Sequence, residues 1–119
     1  MFSFETLEVY QKSRILVKKV YNLQSRFPRE ERYALGDQIR RSITSVTSNL
    51  AEGSGRDSIK EKVHFSEIAF GSLMEAFSQL QNAQDLNYID EGDVEMLRAD
   101  FEEVAKMISG LKTFFEKKL

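Results

Sequence analysis

Apolar residues recur along this chain at intervals of three and four, the period that places them on one side of an α-helix. The pattern defines four long segments, at about residues 5–26, 34–52, 58–86 and 90–117. The fourth is the most regular, because its spacings of three and four continue without a gap through Val94, Leu97, Phe101, Val104, Ile108, Leu111 and Phe115. An apolar seam of this kind is typical of helices in an antiparallel bundle.

Residues that end or begin helices fall between these segments. Pro28, the single proline, follows the first segment, and Gly53 and Gly55 follow the second. Two pairs are predicted to cap the starts of the later segments, Ser58 with Glu61 and Asp90 with Asp93. Because the connections are short, consecutive helices have to run in opposite directions. The sequence therefore predicts an all-α protein, an antiparallel up-down-up-down four-helix bundle formed by residues 1–119 as one domain.

The third segment has an apolar arc that covers about half of its circumference. Beyond a sector centred on Leu73, the arc extends to Val63, Phe70, Met74 and Phe77. A wide core stripe is one interpretation. The other is contact with a second subunit, because an apolar patch of this size is unusual on a soluble monomer. We expect a homo-oligomer in which these four residues are candidate interface residues.

The inventory of reactive side chains argues against catalysis. The chain has no cysteine and one histidine, His64, which the helical projection places on the solvent side of the third segment. A di-iron bundle needs two inward Glu-x-x-His motifs, and a Ser-His-acid triad would have to use this one outward imidazole. The loop from Gly53 to Arg56 lacks the Gly-Lys-Ser/Thr ending of a phosphate-binding loop and follows a helix instead of a strand. We predict that the protein is not an enzyme and has no catalytic residues, cofactor or metal.

The N-terminal sequence MFSFETLEVY lacks the basic and apolar regions of a signal peptide. No window approaches the ~20 apolar residues of a membrane-spanning helix. We therefore expect a cytoplasmic protein with no membrane contact.

Charge is distributed unequally along the chain. Residues 1–62 contain 12 Lys and Arg against 8 Asp and Glu, whereas residues 63–119 contain 5 against 11. Two consequences are open: a basic surface on an acidic protein, or attraction between the two halves within or between subunits.

The basic residues include a periodic set on the first segment. Lys12, Lys19 and Arg26 recur every seven residues on the face away from Val17, and Arg41 points away from Ile43 on the second segment. Such residues can hold phosphates by charge alone, although an ordinary solvated helix face has the same pattern. The candidate nucleic-acid-binding residues are Lys12, Lys19, Arg26, Arg40, Arg41 and Arg56.

Two polar residues stand three apart at the end of the second segment, Asn49 and Glu52. Their side-chain oxygens can accept hydrogen bonds from N–H groups of the loop from Gly53 to Asp57. We expect this pair to anchor that loop; a simple polar helix end is the alternative.

Three motifs in the second and third segments resemble those of a known family. The motifs are Gln38-x-x-Arg41-Ser42, Asn49-Leu50-Ala51-Glu52-Gly53-x-Gly55-Arg56 and Ile68-Ala69-x-Gly71-Ser72-Leu73. With Phe4-x-x-Leu7-x-Val9-Tyr10 and the Phe27-Pro28 turn, the chain resembles, over essentially its whole length, the four-helix-bundle proteins of 23S rRNA intervening sequences. The resemblance implies a family whose members have no established activity. It also implies a homopentameric ring, as in the related accessory proteins of diversity-generating retroelements, which bind nucleic acid and a reverse transcriptase.

The chain departs from the family's pattern at three positions. Thr47 stands where proline is common, Phe70 where arginine is common and Phe77 where glutamate is common. The last two changes replace charge with apolar surface on the third segment, which favours assembly over nucleic-acid contact. The sequence predicts a non-enzymatic, oligomeric scaffold associated with RNA or a ribonucleoprotein. The alternative is a protein–protein adaptor that makes no nucleic-acid contact.

Overall fold

The computed structural model describes residues 1–119 and contains four long helices. They are α1 (Glu8–Gln24), α2 (Leu35–Ser54), α3 (Ile59–Asp85) and α4 (Glu91–Glu116). Short 3-10 turns lie at Ser3–Thr6 and Arg29–Glu31, and the latter is the turn after the proline. The predicted four-helix bundle is confirmed.

Cross-helix contacts give the directions of the helices. Lys12 of α1 meets Glu103 of α4, whereas Arg26 meets Asp93, so residue numbers rise along α1 as they fall along α4. The helices α2 and α3 show the same relation, because Ser42 meets Gln79 and Ser45 meets Ser72. Each helix packs on its neighbours in the chain, and α1 closes the bundle against α4.

The first predicted segment begins too early. Residues 3–6 form a separate 3-10 turn, and Leu7 has an extended backbone with φ of −71° and ψ of 123°. The amide of Phe2 donates a hydrogen bond to the Glu5 carboxylate, which holds this turn apart from α1. The helix α1 therefore starts at Glu8, three residues later than predicted.

The predicted end of the second segment is also too early. The helix α2 continues through Gly53 to Ser54 and stops at Gly55, whose amide donates to the carbonyl of Ala51. Gly53 is buried where α2 approaches α3, and a Cβ placed on it would lie 2.9 Å from the Cβ of Phe65. Glycine at this position therefore allows the close approach of two helices and does not end one.

The caps of the two later helices differ. Asp90 and Asp93 make both hydrogen bonds of a capping box at the start of α4, at 2.9 and 3.0 Å. The Ser58 hydroxyl accepts from the Glu61 amide at 3.3 Å, but the Glu61 carboxylate makes no return bond. The predicted box at the start of α3 is thus only half formed.

The core lies along the common axis of the four helices. All five α4 positions from Val94 to Ile108 in the predicted seam are buried, whereas Leu111 and Phe115 are only partly buried. The centre of the core is formed by fully buried aliphatic side chains, among them Leu16, Val20, Ile39, Ile43, Leu73, Leu80, Val104 and Ile108.

Candidate interaction surfaces

Lys12 and Lys19 of α1, and Arg26 just beyond its end, lie against acidic residues of α4. Lys12 pairs with Glu103. Lys19 lies 2.9 Å from Asp100, and the guanidinium of Arg26 donates to Asp93 at 2.8 Å. The attraction between the basic and acidic halves, which the sequence left open, therefore occurs within one subunit, along the seam between α1 and α4.

These contacts stabilise the charged forms of the groups involved. The hydrogen bond to Glu103 raises the pKa of Lys12 above its usual value. At the other end of the seam, the backbone N–H of Asp90, and then the guanidinium of Arg26, hold the pKa of Asp93 below its usual value. Asp93 thus links the cap of α4 to the C-terminal end of α1.

The other three basic candidates lie at separate places. Arg40 donates to the side chain of Gln24 at 2.8 Å and to the carbonyl of Arg32 at 2.7 Å, so it joins α1, α2 and the connection between them. Arg41 faces solvent with its guanidinium 3.1 Å from Asp37.

Arg56 completes this set beyond the end of α2. It pairs with Glu52 at 2.7 Å and lies over the ring of Phe65, 4.9 Å from its centroid. Each of the six basic candidates therefore has a polar partner in the same chain, and the six do not form one patch.

Of the two residues predicted to anchor the loop, Asn49 and Glu52, only Glu52 contacts it. The Asn49 amide donates to the carbonyl and hydroxyl of Ser45, one turn earlier, and the Glu52 carboxylate pairs with the Arg56 side chain. Neither accepts from a backbone N–H of the loop, and the contact of Glu52 is with the Arg56 guanidinium alone. Sequence reasoning missed the residue that does hold the end of α2, Lys62, which donates to the carbonyls of Gly53 and Ser54 at 3.3 and 3.0 Å. A lysine in the first turn of the following helix was the available signal.

The four candidate interface residues have different exposures. Val63 is 8% exposed, so it is buried within a single chain and offers little surface to a second subunit. Phe70 and Phe77 are partly buried against the core, and Met74 is 41% exposed. The apolar arc of α3 thus serves partly as core and partly as open surface.

Met74 and Phe77 line an apolar groove between α3 and α4 with a volume of about 250 Å³. The Phe77 ring meets Phe101 edge-on, with centroids 5.0 Å apart, and the guanidinium of Arg98 lies 5.0 Å from the Phe77 ring centroid. Ala105 also lines this surface, which is here called the apolar groove. Met74 is the most exposed apolar side chain of this groove.

His64 is exposed, as the helical projection predicted. The chain has no group of three or more His, Cys, Asp or Glu residues placed to hold a metal ion. None of its helices combines the length and the apolar composition needed to cross a membrane.

The four packed helices place the chain in the class of all-α four-helix-bundle proteins. The chain is a member of the 23S rRNA-intervening sequence protein family, whose family model matches residues 5–110. The resemblance seen in the sequence motifs is thereby confirmed. This family is not defined by a catalytic activity.

Solved structures support the same fold. The chain is similar to a protein of unknown function from the S23 ribosomal protein family of Bacteroides thetaiotaomicron, with a TM-score of 0.80 and 24% sequence identity. The match covers 88% of this chain and 95% of that one. At this identity the likeness shows the fold alone. A search of curated proteins found no match.

Proposed function

We propose that this protein is a cytoplasmic, non-enzymatic scaffold that associates with RNA or a ribonucleoprotein and works as a homo-oligomer. The observation that carries the proposal is the family match, which spans residues 5–110 and links the chain to proteins named for an intervening sequence of 23S rRNA. In a scaffold of this kind, the outer surfaces of the bundle are the functional parts.

The apolar groove supports the oligomeric part of the proposal. Met74 and Phe77 line it, and a second subunit that covered their exposed parts would gain about 25 cal/mol per Å² of apolar area removed from water. A ring-like homopentamer is the assembly that the resemblance implies, and the groove supplies one of the two surfaces that such a ring would need.

A specific observation favours a second candidate, a protein–protein adaptor without nucleic-acid contact. All six basic residues predicted from the sequence have polar partners in the chain, and those of Lys12, Lys19 and Arg26 are carboxylates of α4. A phosphate would have to compete with these carboxylates for the same cations. An adaptor needs no cationic surface, and the apolar groove offers it a surface for contact with another protein.

One experiment separates the two candidates. The binding of a fluorescein-labelled rRNA fragment is measured by anisotropy between ~50 and ~200 mM salt, because phosphate contacts make affinity fall steeply across this range. The scaffold proposal expects binding that weakens with salt, and several subunits would multiply a weak contact. No binding at the lower salt concentration would select the adaptor. Light scattering in parallel should give a multiple of the 13.8 kDa chain mass, and a value equal to that mass at micromolar concentration would overturn the oligomer.

A further inference from the structure

A second line of residues on α1 carries positive charge that has no partner in the chain. Tyr10, Arg14, Lys18 and Tyr21 are spaced by four, four and three, so they lie on one side of the helix, here called the outer α1 face. Arg14 and Lys18 are exposed, and neither forms an ion pair. They differ in this respect from Lys12 and Lys19 on the same helix.

The absence of acidic residues explains why these charges remain unpaired. No Asp or Glu occurs between Glu8 and Glu30, so α1 itself offers no carboxylate beside Arg14 or Lys18. The neighbouring helix α2 has none between Asp37 and Glu52. The carboxylates of α4 reach only the opposite side of α1, where they bind Lys12 and Lys19.

Aromatic side chains flank the two cations. Tyr21 is 39% exposed, and Tyr10 is partly buried, with its ring held edge-on against Phe4 at 4.9 Å between centroids. Cations that bind phosphates, beside aromatic rings on which bases stack, are the combination by which proteins hold single-stranded nucleic acid. Asp and Glu side chains would satisfy the cations but carry no aromatic ring to stack on the tyrosines.

We propose that the outer α1 face binds the backbone and bases of single-stranded RNA, with phosphates at Arg14 and Lys18 and a base stacked on Tyr21. This inference rests on the proposed function and names the surface that performs it. It places RNA on the side of α1 that α4 does not neutralise, away from the seam that contains Lys12, Lys19 and Arg26.

A matched pair of double variants tests the assignment. Arg14→Gln with Lys18→Gln and Lys12→Gln with Lys19→Gln each remove two positive charges from the same helix. With a fluorescein-labelled single-stranded rRNA fragment at ~50 mM salt, the first variant should bind about tenfold more weakly or worse, and its salt slope should fall by ~1.4. The second variant should stay within about twofold of the unmodified protein, since its lysines are already paired. Circular dichroism serves as the control for folding, and both variants should remain helical.

The tyrosine is tested separately. Tyr21→Ala should weaken binding by about fivefold or more through the loss of stacking, whereas Tyr21→Phe should retain it. If poly-glutamate binds as tightly as the RNA and Tyr21→Ala changes nothing, the face binds an acidic protein segment and the RNA assignment is overturned.

The remaining outcomes distinguish the two proposals. RNA binding that weakens equally in both double variants would overturn the outer α1 face and leave the RNA scaffold intact. An unmodified protein that binds no RNA at ~50 mM salt would overturn both.

Discussion

Replacing Gly53 with alanine tests the close approach of α2 and α3. Gly53 lies in the last turn of α2 and is buried against α3. An added Cβ would lie 2.9 Å from the Cβ of Phe65, closer than carbon atoms pack without displacement. The Phe65 Cβ is bonded directly to the backbone of α3 and cannot rotate away. The two helices would have to separate at this end of the bundle.

Two opposing effects set the magnitude. Alanine is preferred over glycine in a helix by about 1 kcal/mol, which favours the variant. An extra carbon in a well-packed contact costs about 1–3 kcal/mol. We therefore expect Gly53→Ala to lower the free energy of unfolding by up to about 2 kcal/mol. Gly110 is a matched control within α4, because a Cβ there meets nothing within 4 Å, and Gly110→Ala should raise the free energy of unfolding by about 0.5–1 kcal/mol.

Urea unfolding followed by circular dichroism gives both values, with all proteins at one concentration because assembly affects apparent stability. For a chain of this length, 1 kcal/mol corresponds to about 4 °C in melting temperature. The reasoning predicts that Gly53→Ala unfolds at a lower urea concentration than Gly110→Ala. Equal or greater stability of Gly53→Ala would show that the helices accommodate the added carbon and that glycine is not required there.

Three further predictions concern the seam, the cap of α4 and the groove. Changing Lys12, Lys19 and Arg26 to Glu would place like charges beside the α4 carboxylates. The urea midpoint of unfolding should therefore fall, and it should partly recover in high salt, which screens the repulsion. An unchanged midpoint would mean that these ion pairs contribute nothing to stability. Folding lowers the pKa of Asp93, so its ionised carboxylate stabilises the protein above the ordinary aspartate pKa, and this stabilisation is lost as the pH falls through the folded pKa. The Asp93→Asn variant lacks this titration, so its free energy of unfolding should fall less than that of the unmodified protein between pH ~7 and pH ~2. An equal fall in both proteins would contradict this. Met74→Asp should shift light scattering toward the chain mass without loss of helicity, because Met74 lies at the surface of the single chain and is not part of its core. An unchanged assembly would exclude the groove as an interface.

Met74 is a better probe of assembly than Phe77, which the sequence also suggested. Phe77 contacts the buried Phe101 within the same chain, so a charge there would also destabilise the monomer. The helical projection assigns a residue to a side of its own helix. It does not say how much of that side the neighbouring helix covers, which is why Val63 and Met74 were grouped although only Met74 is exposed.

The fold was predictable because each helix carries a regular apolar stripe and the connections are short. The boundaries that were missed depend on local contacts. The Phe2 amide meets the Glu5 carboxylate and separates the first turn from α1, and Gly53 accommodates Phe65 instead of ending α2. Neither contact changes the hydrophobic period, so periodicity alone could not reveal it.

The pairing of α1 with α4 did leave a signal in the sequence. Lys19 and Arg26 are seven residues apart, as are Asp93 and Asp100, and an antiparallel pair of helices brings Lys19 to Asp100 and Arg26 to Asp93. The residue numbers of these two pairs have the same sum, and the third pair, Lys12 with Glu103, departs from it by about one helical turn. A basic and an acidic series with the same spacing on helices that close a bundle therefore predict a seam, and a basic series considered alone is mistaken for a free surface.

The net charge of −2 consequently says little about whether the protein can hold a polyanion. The acid-free stretch between Glu8 and Glu30 has two sides, and α4 supplies carboxylates to only one of them. Interactions between exposed charges weaken beyond a Debye length of about 8 Å at physiological salt, so acids on the far side of the bundle do not cancel Arg14 and Lys18. Local pairing, and not the sum over the chain, decides which cations remain available to a phosphate.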